Sequence, residues 1–124
     1  MRALLLAAGL GTRLRPITDT TPKCLVPISG IPLLQIWLER LTEADIESFL
    51  INTHYLSEQV KAFVEKSSFR QKIQLVHENY LLGTAGTLIE NLDFFQGEDG
   101  LLIHADNYCL ADISAFEHAH INRP

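Results

Sequence analysis

The chain has 124 residues, of which 47% are hydrophobic, and its formal net charge at pH 7 is −5. This length and apolar content allow one domain with a buried core, whereas the acidic balance excludes nucleic-acid binding through bulk positive charge. The two cysteines, Cys24 and Cys109, are too few for a disulfide framework and lack metal-site spacing. They predict a reducing compartment, the cytoplasm. No segment approaches the roughly 20 apolar residues that a membrane span needs, so no membrane partner is expected.

The start of the chain imitates a secretory signal, because Arg2 precedes the apolar run Ala3–Leu10. That run continues into residues 11–15, Gly-Thr-Arg-Leu-Arg, which do not form a small-residue cleavage site. We therefore interpret the run as a buried first strand.

Four short apolar runs predict strands that are covered on both faces, as in a parallel sheet. The runs are Ala3–Ala8, Ile46–Ile51, Ile73–Val76 and Leu101–Ala105. Helical periodicity between them predicts four helices. The first two carry their apolar faces on Leu34, Trp37, Leu38 and Leu41 and on Leu56, Val60, Phe63 and Val64, the third runs from Ala85 to Phe94, and the fourth begins near Asp112. This alternation predicts an α/β fold with a Rossmann-like, open, doubly wound and mainly parallel sheet, whose ligands lie beyond the carboxyl ends of the strands.

A glycine pair, Gly9 and Gly11, follows the first predicted strand, where exposed backbone N–H groups can converge on phosphate oxygens. A tight turn at a strand exit uses the same residues, so the pair by itself leaves a purely structural role open. A dinucleotide-binding fingerprint is excluded, because Leu14 stands where a small residue is needed and residues 52–54, Asn-Thr-His, lack its acid. A P-loop is excluded too, because no Gly-Lys-Ser/Thr tripeptide follows Gly9.

The residues around this pair resemble the signature of nucleotide-sugar pyrophosphorylases. The resemblance rests on residues 6–18, Leu-Ala-Ala-Gly-Leu-Gly-Thr-Arg-Leu-Arg-Pro-Ile-Thr, on residues 21–27, Thr-Pro-Lys-Cys-Leu-Val-Pro, and on residues 31–33, Ile-Pro-Leu. It implies that the loop wraps a nucleoside triphosphate and that Arg13 and Lys23 neutralise phosphates as catalytic residues. The nucleotide-binding residues that it implies here are Ala8, Gly9, Gly11, Thr12, Arg13 and Lys23. Cys24 replaces the usual proline of the family, with little expected consequence.

A second glycine segment, residues 77–87, enters the third predicted helix. An ordinary helix start has this composition, but helix starts also bind phosphates or base edges. The segment resembles the Glu-x-x-x-Leu-Gly-Thr-Ala-Gly stretch of mannose-1-phosphate guanylyltransferases. That resemblance implies that Glu78 binds a guanine edge, whose donors a carboxylate can accept, and that Gly83 and Thr84 bind the nucleotide. Leu81 departs from the proline that is common in that subfamily.

Asp106 follows the fourth predicted strand, at the edge where a metal-bound phosphate is expected. A strand-end aspartate can also serve only to cap a turn. The family resemblance implies that Asp106 binds Mg²⁺ together with a second aspartate from later in the domain, which this chain lacks. His118 and His120 suggest a zinc pair, but positions two apart on a helix face different directions, which favours solvated surface residues.

The resemblance implies a nucleotidyltransferase that forms a nucleotide-sugar and pyrophosphate from a nucleoside triphosphate and a sugar 1-phosphate, with GTP and mannose 1-phosphate as first candidates. A cytidylyltransferase acting on phosphocholine and a non-catalytic nucleotide-binding subunit are the alternatives. Catalytic domains of the family are longer, so residues 1–124 are expected to be the N-terminal nucleotide-binding part of one domain that binds without turnover. We also expect self-association through the outer edge of the fourth strand.

Overall fold

The computed structural model describes residues 1–124 and contains six strands and four α-helices. In chain order they are β1 (Arg2–Leu6), β2 (Pro27–Ile28), β3 (Ile31–Pro32), α1 (Leu33–Glu43), β4 (Phe49–Thr53), α2 (Ser57–Lys66), β5 (Ile73–His77), α3 (Gly83–Glu90), β6 (Gly100–His104) and α4 (Ile113–Ile121). None of the helices combines the length and the apolar character that crossing a lipid bilayer requires.

The main sheet has four parallel strands in the order β5-β4-β1-β6. From β1 the chain first builds outward to β4 and β5, and then returns to the other side of β1 to form β6. The strand order therefore reverses between β1 and β6. In open α/β sheets, ligands bind in the crevice beside the carboxyl ends of the strands at such a reversal.

Side chains of β1 alternate between two apolar cores, one on each face of the sheet. Helices cover both faces because both cores must be shielded from water. Ala3 and Leu5 belong to a larger core that includes residues of α1 and α2. Leu4 lies on the opposite face, in a smaller core with Leu50 and Phe95. All three β1 side chains are fully buried. The arrangement confirms the predicted α/β class with a doubly wound, parallel sheet.

Most predicted boundaries lie within two residues of the observed ones, but two were wrong by more than two residues, for local reasons. The second strand begins at Phe49 and not at Ile46, because the N–H of Ile46 donates to the carbonyl of Leu41 at 2.9 Å and closes the end of α1. The third helix ends at Glu90 and not at Phe94. Asn91 ends it, since its side-chain amide donates to the carbonyl of Thr87 at 2.8 Å, and a 3-10 helix continues over Leu92–Phe95.

A small antiparallel hairpin, β2–β3, lies apart from the main sheet and was not predicted. Its strands have two residues each, too few for an apolar pattern to appear. The turn between them places Ser29 and Gly30 at φ 51° and 82°. Two consecutive positive φ values are typical of the tight turns that join hairpin strands.

The fourth long strand, β6, lies at the edge of the sheet and pairs only with β1. Its outer edge therefore offers backbone N–H and C=O groups to another strand. We expect the chain to self-associate through this edge, with a mass in sedimentation equilibrium that rises with concentration. Small-angle scattering that shows a monomer over the whole concentration range would contradict this prediction.

Candidate active site

The segment that follows β1 is compact, with three short 3-10 helices over Thr12–Leu14, Ile17–Asp19 and Lys23–Leu25. Gly11 begins the first of them at φ 64°, in the left-handed region. A Cβ added to Gly11 would lie 2.8 Å from Cγ2 of Thr18, and the hydroxyl of Thr18 donates to the carbonyl of Gly11. The fold of the segment itself therefore requires glycine at position 11.

Gly9 is different, because nothing in the fold requires it. Its φ is not positive, and no atom lies within 4 Å of the Cβ that a larger residue would carry. Gly9 is exposed and lines the pocket described below. A glycine that leaves its backbone open to a pocket suits the close approach of a ligand.

The two glycines give a matched pair of substitutions. We expect Gly9→Ala to leave the unfolding midpoint unchanged and to weaken triphosphate binding about tenfold, since the added methyl group enters the space of the ligand. We expect Gly11→Ala to lower the stability of the chain by about 1–2 kcal/mol through its left-handed φ alone. Thermal unfolding and calorimetric titration with GTP measure the two effects. Full affinity in Gly9→Ala would show that the ligand does not approach this backbone.

Lys23 and Asp106 meet at the reversal point of the sheet. Nζ of Lys23 lies 3.1 Å from Oδ2 of Asp106, and their side chains are 29% and 33% exposed. The buried Cys24 fixes the backbone beside Lys23, since its side chain belongs to the larger core. Burial raises the pKa of the Cys24 thiol to about 12, and the charge of Asp106 adds to this rise. The thiol is therefore neutral and forms part of the core, whereas Lys23 points a charge toward the strand ends.

A depression with a volume of about 200 Å³ contains this ion pair and is lined also by Gly11, Thr12 and Arg13. The guanidinium of Arg13 is exposed and has no ion pair or hydrogen bond within the chain, whereas Arg15 pairs with Asp19 at 3.5 Å. The depression thus combines two cations with the backbone of a glycine turn. Charged donors of this kind bind phosphate oxygens.

A pocket of about 220 Å³ lies beside the depression and shares Asp106 with it. Its walls come from the ends of β1, β4 and β6 and from the start of α3. The residues that line it are Leu6, Ala8, Gly9, Asn52, Glu78, Leu81, Gly83, Thr84, Thr87, His104 and Asp106. The fold thus brings together all the site residues that were predicted from the sequence. The pocket is lined by Ala8, Gly9, Glu78, Gly83, Thr84 and Asp106, and the depression is lined by Gly11, Thr12, Arg13, Lys23 and Asp106.

Glu78 is buried, and its carboxylate is held by three donors. Oε2 accepts hydrogen bonds from Asn52 Nδ2 at 2.9 Å and from the hydroxyl of Thr87 at 2.6 Å. Oε1 accepts from the N–H of Leu82 at 3.1 Å. Desolvation by burial raises the pKa of Glu78, but the hydrogen bonds from Thr87, Asn52 and Leu82 outweigh it and hold the pKa below its ordinary value of 4.5. Glu78 is therefore an ionised carboxylate, which can only accept hydrogen bonds from a ligand.

Asn52 and Thr87 are buried polar residues of the pocket that sequence analysis did not predict. A signal was present in the sequence, since Asn52 is a polar residue that ends an otherwise apolar run. Asn52 is 4% exposed and Thr87 is 1% exposed. Buried polar side chains beside a pocket are paired for a structural or a functional reason.

For magnesium, the chain offers one carboxylate at the right place. Asp106 lies between the pocket and the depression, and no group of three or more His, Cys, Asp or Glu side chains could hold a metal ion. Magnesium keeps several water ligands and is commonly bound by one or two carboxylates together with substrate phosphates. Asp106 fits this mode of binding, whereas a site made entirely of protein ligands does not fit.

Comparison with known proteins identifies a family and several relatives that are similar to this chain. Residues 2–123 match the family of nucleotidyl transferases. The chain is 32% identical over 113 residues to a mannose-1-phosphate guanylyltransferase of Mycobacterium tuberculosis, covering 90% of this chain and 32% of the relative. It is 47% identical over 70 residues to a choline-phosphate cytidylyltransferase of Streptococcus pneumoniae, covering 56% of this chain and 31% of the relative.

The fold also matches solved structures. The crystal structure of HddC from Yersinia pseudotuberculosis complexed with GMP-PN superimposes with a TM-score of 0.84 at 28% sequence identity, covering 98% of this chain and 54% of that chain. The chain thus spans about a third of the two curated relatives and about half of this solved structure. The relatives of the chain include mannose-1-phosphate guanylyltransferases and other sugar-phosphate nucleotidyltransferases. The family match over residues 2–123 shows that the chain belongs to the nucleotidyl transferase family.

Proposed function

We propose that this chain supplies the triphosphate site of an enzyme that joins a nucleoside triphosphate to a sugar 1-phosphate, with GTP and mannose 1-phosphate as the first candidates. The observation that carries the proposal is the adjacency of two spaces that share Asp106. One is a pocket beside Glu78, and the other is a cationic depression beside Arg13 and Lys23. A nucleoside in the pocket can place its phosphates in the depression.

In the proposed reaction, an oxygen of the sugar phosphate attacks the α-phosphorus of the triphosphate. The new phosphorus–oxygen bond forms as the bond from the α-phosphorus to the α,β-bridging oxygen breaks, and pyrophosphate leaves with that electron pair. No covalent bond to the protein is needed. The contribution of the protein is alignment of the reactants and neutralisation of phosphate charge by Arg13 and Lys23.

Magnesium is the proposed cofactor, and Asp106 is the residue of this chain that would hold it together with phosphate oxygens. When bound, the ion supplies positive charge where charge develops on the phosphates. Lys23 pairs with Asp106 at 3.1 Å and would be the cation of this chain that contacts a phosphate oxygen once Asp106 held the ion.

Glu78 favours a nucleobase that presents hydrogen-bond donors on its edge, because an ionised carboxylate can only accept hydrogen bonds. Guanine presents N–H donors on the edge that carries its 2-amino group, in agreement with the proposed use of GTP. Cytosine also has an amino donor, and the S. pneumoniae relative is a cytidylyltransferase named for choline phosphate. CTP with phosphocholine is therefore the second candidate.

A substrate panel tests the proposal. GTP, CTP, UTP and ATP are each combined with mannose 1-phosphate, glucose 1-phosphate or phosphocholine, and pyrophosphate release and triphosphate binding are both measured. Turnover with GTP and mannose 1-phosphate supports the first candidate, and turnover confined to CTP and phosphocholine replaces it with the second. Triphosphate binding without turnover is the result expected of residues 1–124 alone, since they span about a third of the curated relatives. The same result with a protein of the relatives' full length would favour a nucleotide-binding subunit.

The cellular setting follows from the same proposal. The proposed substrates are metabolites of the cytoplasm, and both cysteines are free thiols, as in a reducing compartment. We therefore propose a cytoplasmic protein. We also propose that copies of it associate through the outer edge of β6.

A further inference from the structure

One buried side chain connects the two loops that line the pocket. Asn52 is in β4, between β1 and β5 in the sheet. Its Oδ1 accepts a hydrogen bond from the N–H of Ala7 at 2.6 Å, where the chain leaves β1 toward Gly9. Its Nδ2 donates to Oε2 of Glu78 at 2.9 Å, and lies 3.4 Å from the hydroxyl oxygen of Thr87.

Through these bonds Asn52 links residues 7–14 after β1, which we call the phosphate loop, to residues 78–84 before and at the start of α3, which we call the base segment. Ala7 leads into Gly9, the glycine whose backbone is open to the pocket. Glu78 accepts the N–H of Leu82 at 3.1 Å and so fixes the turn into α3. No direct hydrogen bond joins the two loops otherwise, because β4 separates β1 from β5.

Stability of the sheet alone does not explain this residue. An amide at a buried strand position loses its hydration, and a buried polar group with a missing partner is destabilising. The preceding positions of β4, Leu50 and Ile51, are apolar and fully buried, as expected in a central strand. The amide at position 52 instead lines the pocket and contacts groups on both loops.

We propose that Asn52 is a positioning residue that sets the distance between the phosphate loop and the base segment. Thr87 is its partner, because its hydroxyl donates to the same carboxylate oxygen at 2.6 Å. The inference rests on the proposed function, since it assigns the nucleoside and the phosphates to these two loops. A triphosphate nucleotide bridges both loops, so a change in their spacing weakens its binding whatever the base.

A charge-conserving swap tests the proposal. Asn52→Asp places a second carboxylate against Glu78 and should weaken triphosphate binding about tenfold. The double variant Asn52→Asp/Glu78→Gln reverses the hydrogen bond: the new carboxylate at position 52 accepts from Ala7 and from the new amide at position 78. That amide also donates to Thr87. Glu78 is also the proposed acceptor for the base, so the double variant loses the affinity that this contact supplies. It should nevertheless bind GTP about tenfold more tightly than the summed free-energy changes of the two single variants predict.

Two measurements are made on the wild-type chain, the single variants and the double variant. Calorimetric titration with GTP gives the affinity, and amide hydrogen exchange without ligand reports the order of residues 7–9 and 79–84. Asn52→Asp should accelerate exchange in both segments together, and the double variant should restore it. A residue that only stabilises the sheet would lower the unfolding midpoint without changing affinity at temperatures where the chain is folded.

The proposal is overturned if Asn52→Asp binds GTP with unchanged affinity. It is also overturned if the loss of binding free energy in the double variant equals the sum of the losses in the two single variants. If Asn52→Asp does not fold, Thr87→Val serves instead, because it removes one donor to Glu78 at nearly constant shape. It should weaken GTP binding in the same direction, and unchanged affinity again overturns the proposal. If the wild-type chain binds no triphosphate, the proposed function fails, while exchange in the two segments still decides whether Asn52 couples them.

Discussion

Replacing Lys23 by alanine should weaken the binding of GTP about 10- to 100-fold, because it removes a charged donor to a phosphate oxygen. Arg13→Ala should have an effect of similar size, since the guanidinium of Arg13 has no ion pair within the chain that would compete with a phosphate. Where turnover is measured, each substitution should reduce it by a factor on the order of 100 to 1,000. Lys23→Arg should retain part of the affinity, since it keeps the charge but changes the donor geometry.

Lys61→Ala is the matched control for these substitutions. Lys61 is an exposed lysine of α2, far in sequence from the glycine segment and without an ion pair. Its loss changes the net charge by the same amount as the loss of Lys23 but should leave GTP affinity within about twofold, since Lys61 lines neither the pocket nor the depression and exposed charges outside the site are screened by salt. Near-normal affinity in both Arg13→Ala and Lys23→Ala would place the phosphates elsewhere.

The effect of Asp106→Asn on triphosphate binding should change sign when magnesium is added. Without magnesium, the substitution removes a negative charge that repels phosphates and frees Lys23 from its 3.1 Å ion pair, so GTP should bind a few-fold more tightly. With magnesium, the wild-type chain should bind more tightly than the variant, by roughly tenfold, since only its carboxylate can hold the ion. The affinities of the two proteins should therefore cross as magnesium is added.

This crossing separates a metal ligand from a simple partner of Lys23. If Asp106 only positioned Lys23, the substitution would change GTP affinity by the same factor with and without magnesium. Asp93→Asn removes an exposed carboxylate from the 3-10 helix Leu92–Phe95 and is the control. It should leave both affinities unchanged. Calorimetric titrations at several magnesium concentrations measure all three proteins.

Much of the fold could be predicted because the pattern of apolar residues along the chain is compatible with few arrangements of strands and helices. The four strands of the main sheet appear in the sequence as short apolar runs, and the helices between them carry clear apolar faces. The prediction that all four strands are covered on both faces was wrong for β5 and β6, which lie at the edges of the sheet and are only partly buried. The glycine pair identified the family because it is part of a longer sequence signature that includes Arg13 and Lys23, whereas a simple turn would require only the glycines. These signals are local in sequence, which is why they are visible without coordinates.

The parts that were missed depend on contacts between distant residues. Asn52 contacts Ala7 and Glu78, which are separated from it by 45 and 26 positions, so the apolar run that it ends marks it as unusual but does not reveal these partners. The end of α3 depends on the amide of Asn91 competing for the carbonyl of Thr87. The ion pair between Lys23 and Asp106 joins residues 83 positions apart and exists only because β6 lies beside β1.

The central claim is that a nucleoside triphosphate binds between the segment after β1 and the start of α3, and backbone amide NMR during a titration with GTP and magnesium tests it most directly. We predict that the largest shifts occur at Gly9, Gly11, Thr12, Gly83 and Thr84, and that Lys23→Ala removes them at the same GTP concentration. Shifts concentrated in α2 or α4, or shifts that persist unchanged in Lys23→Ala, would contradict the claim.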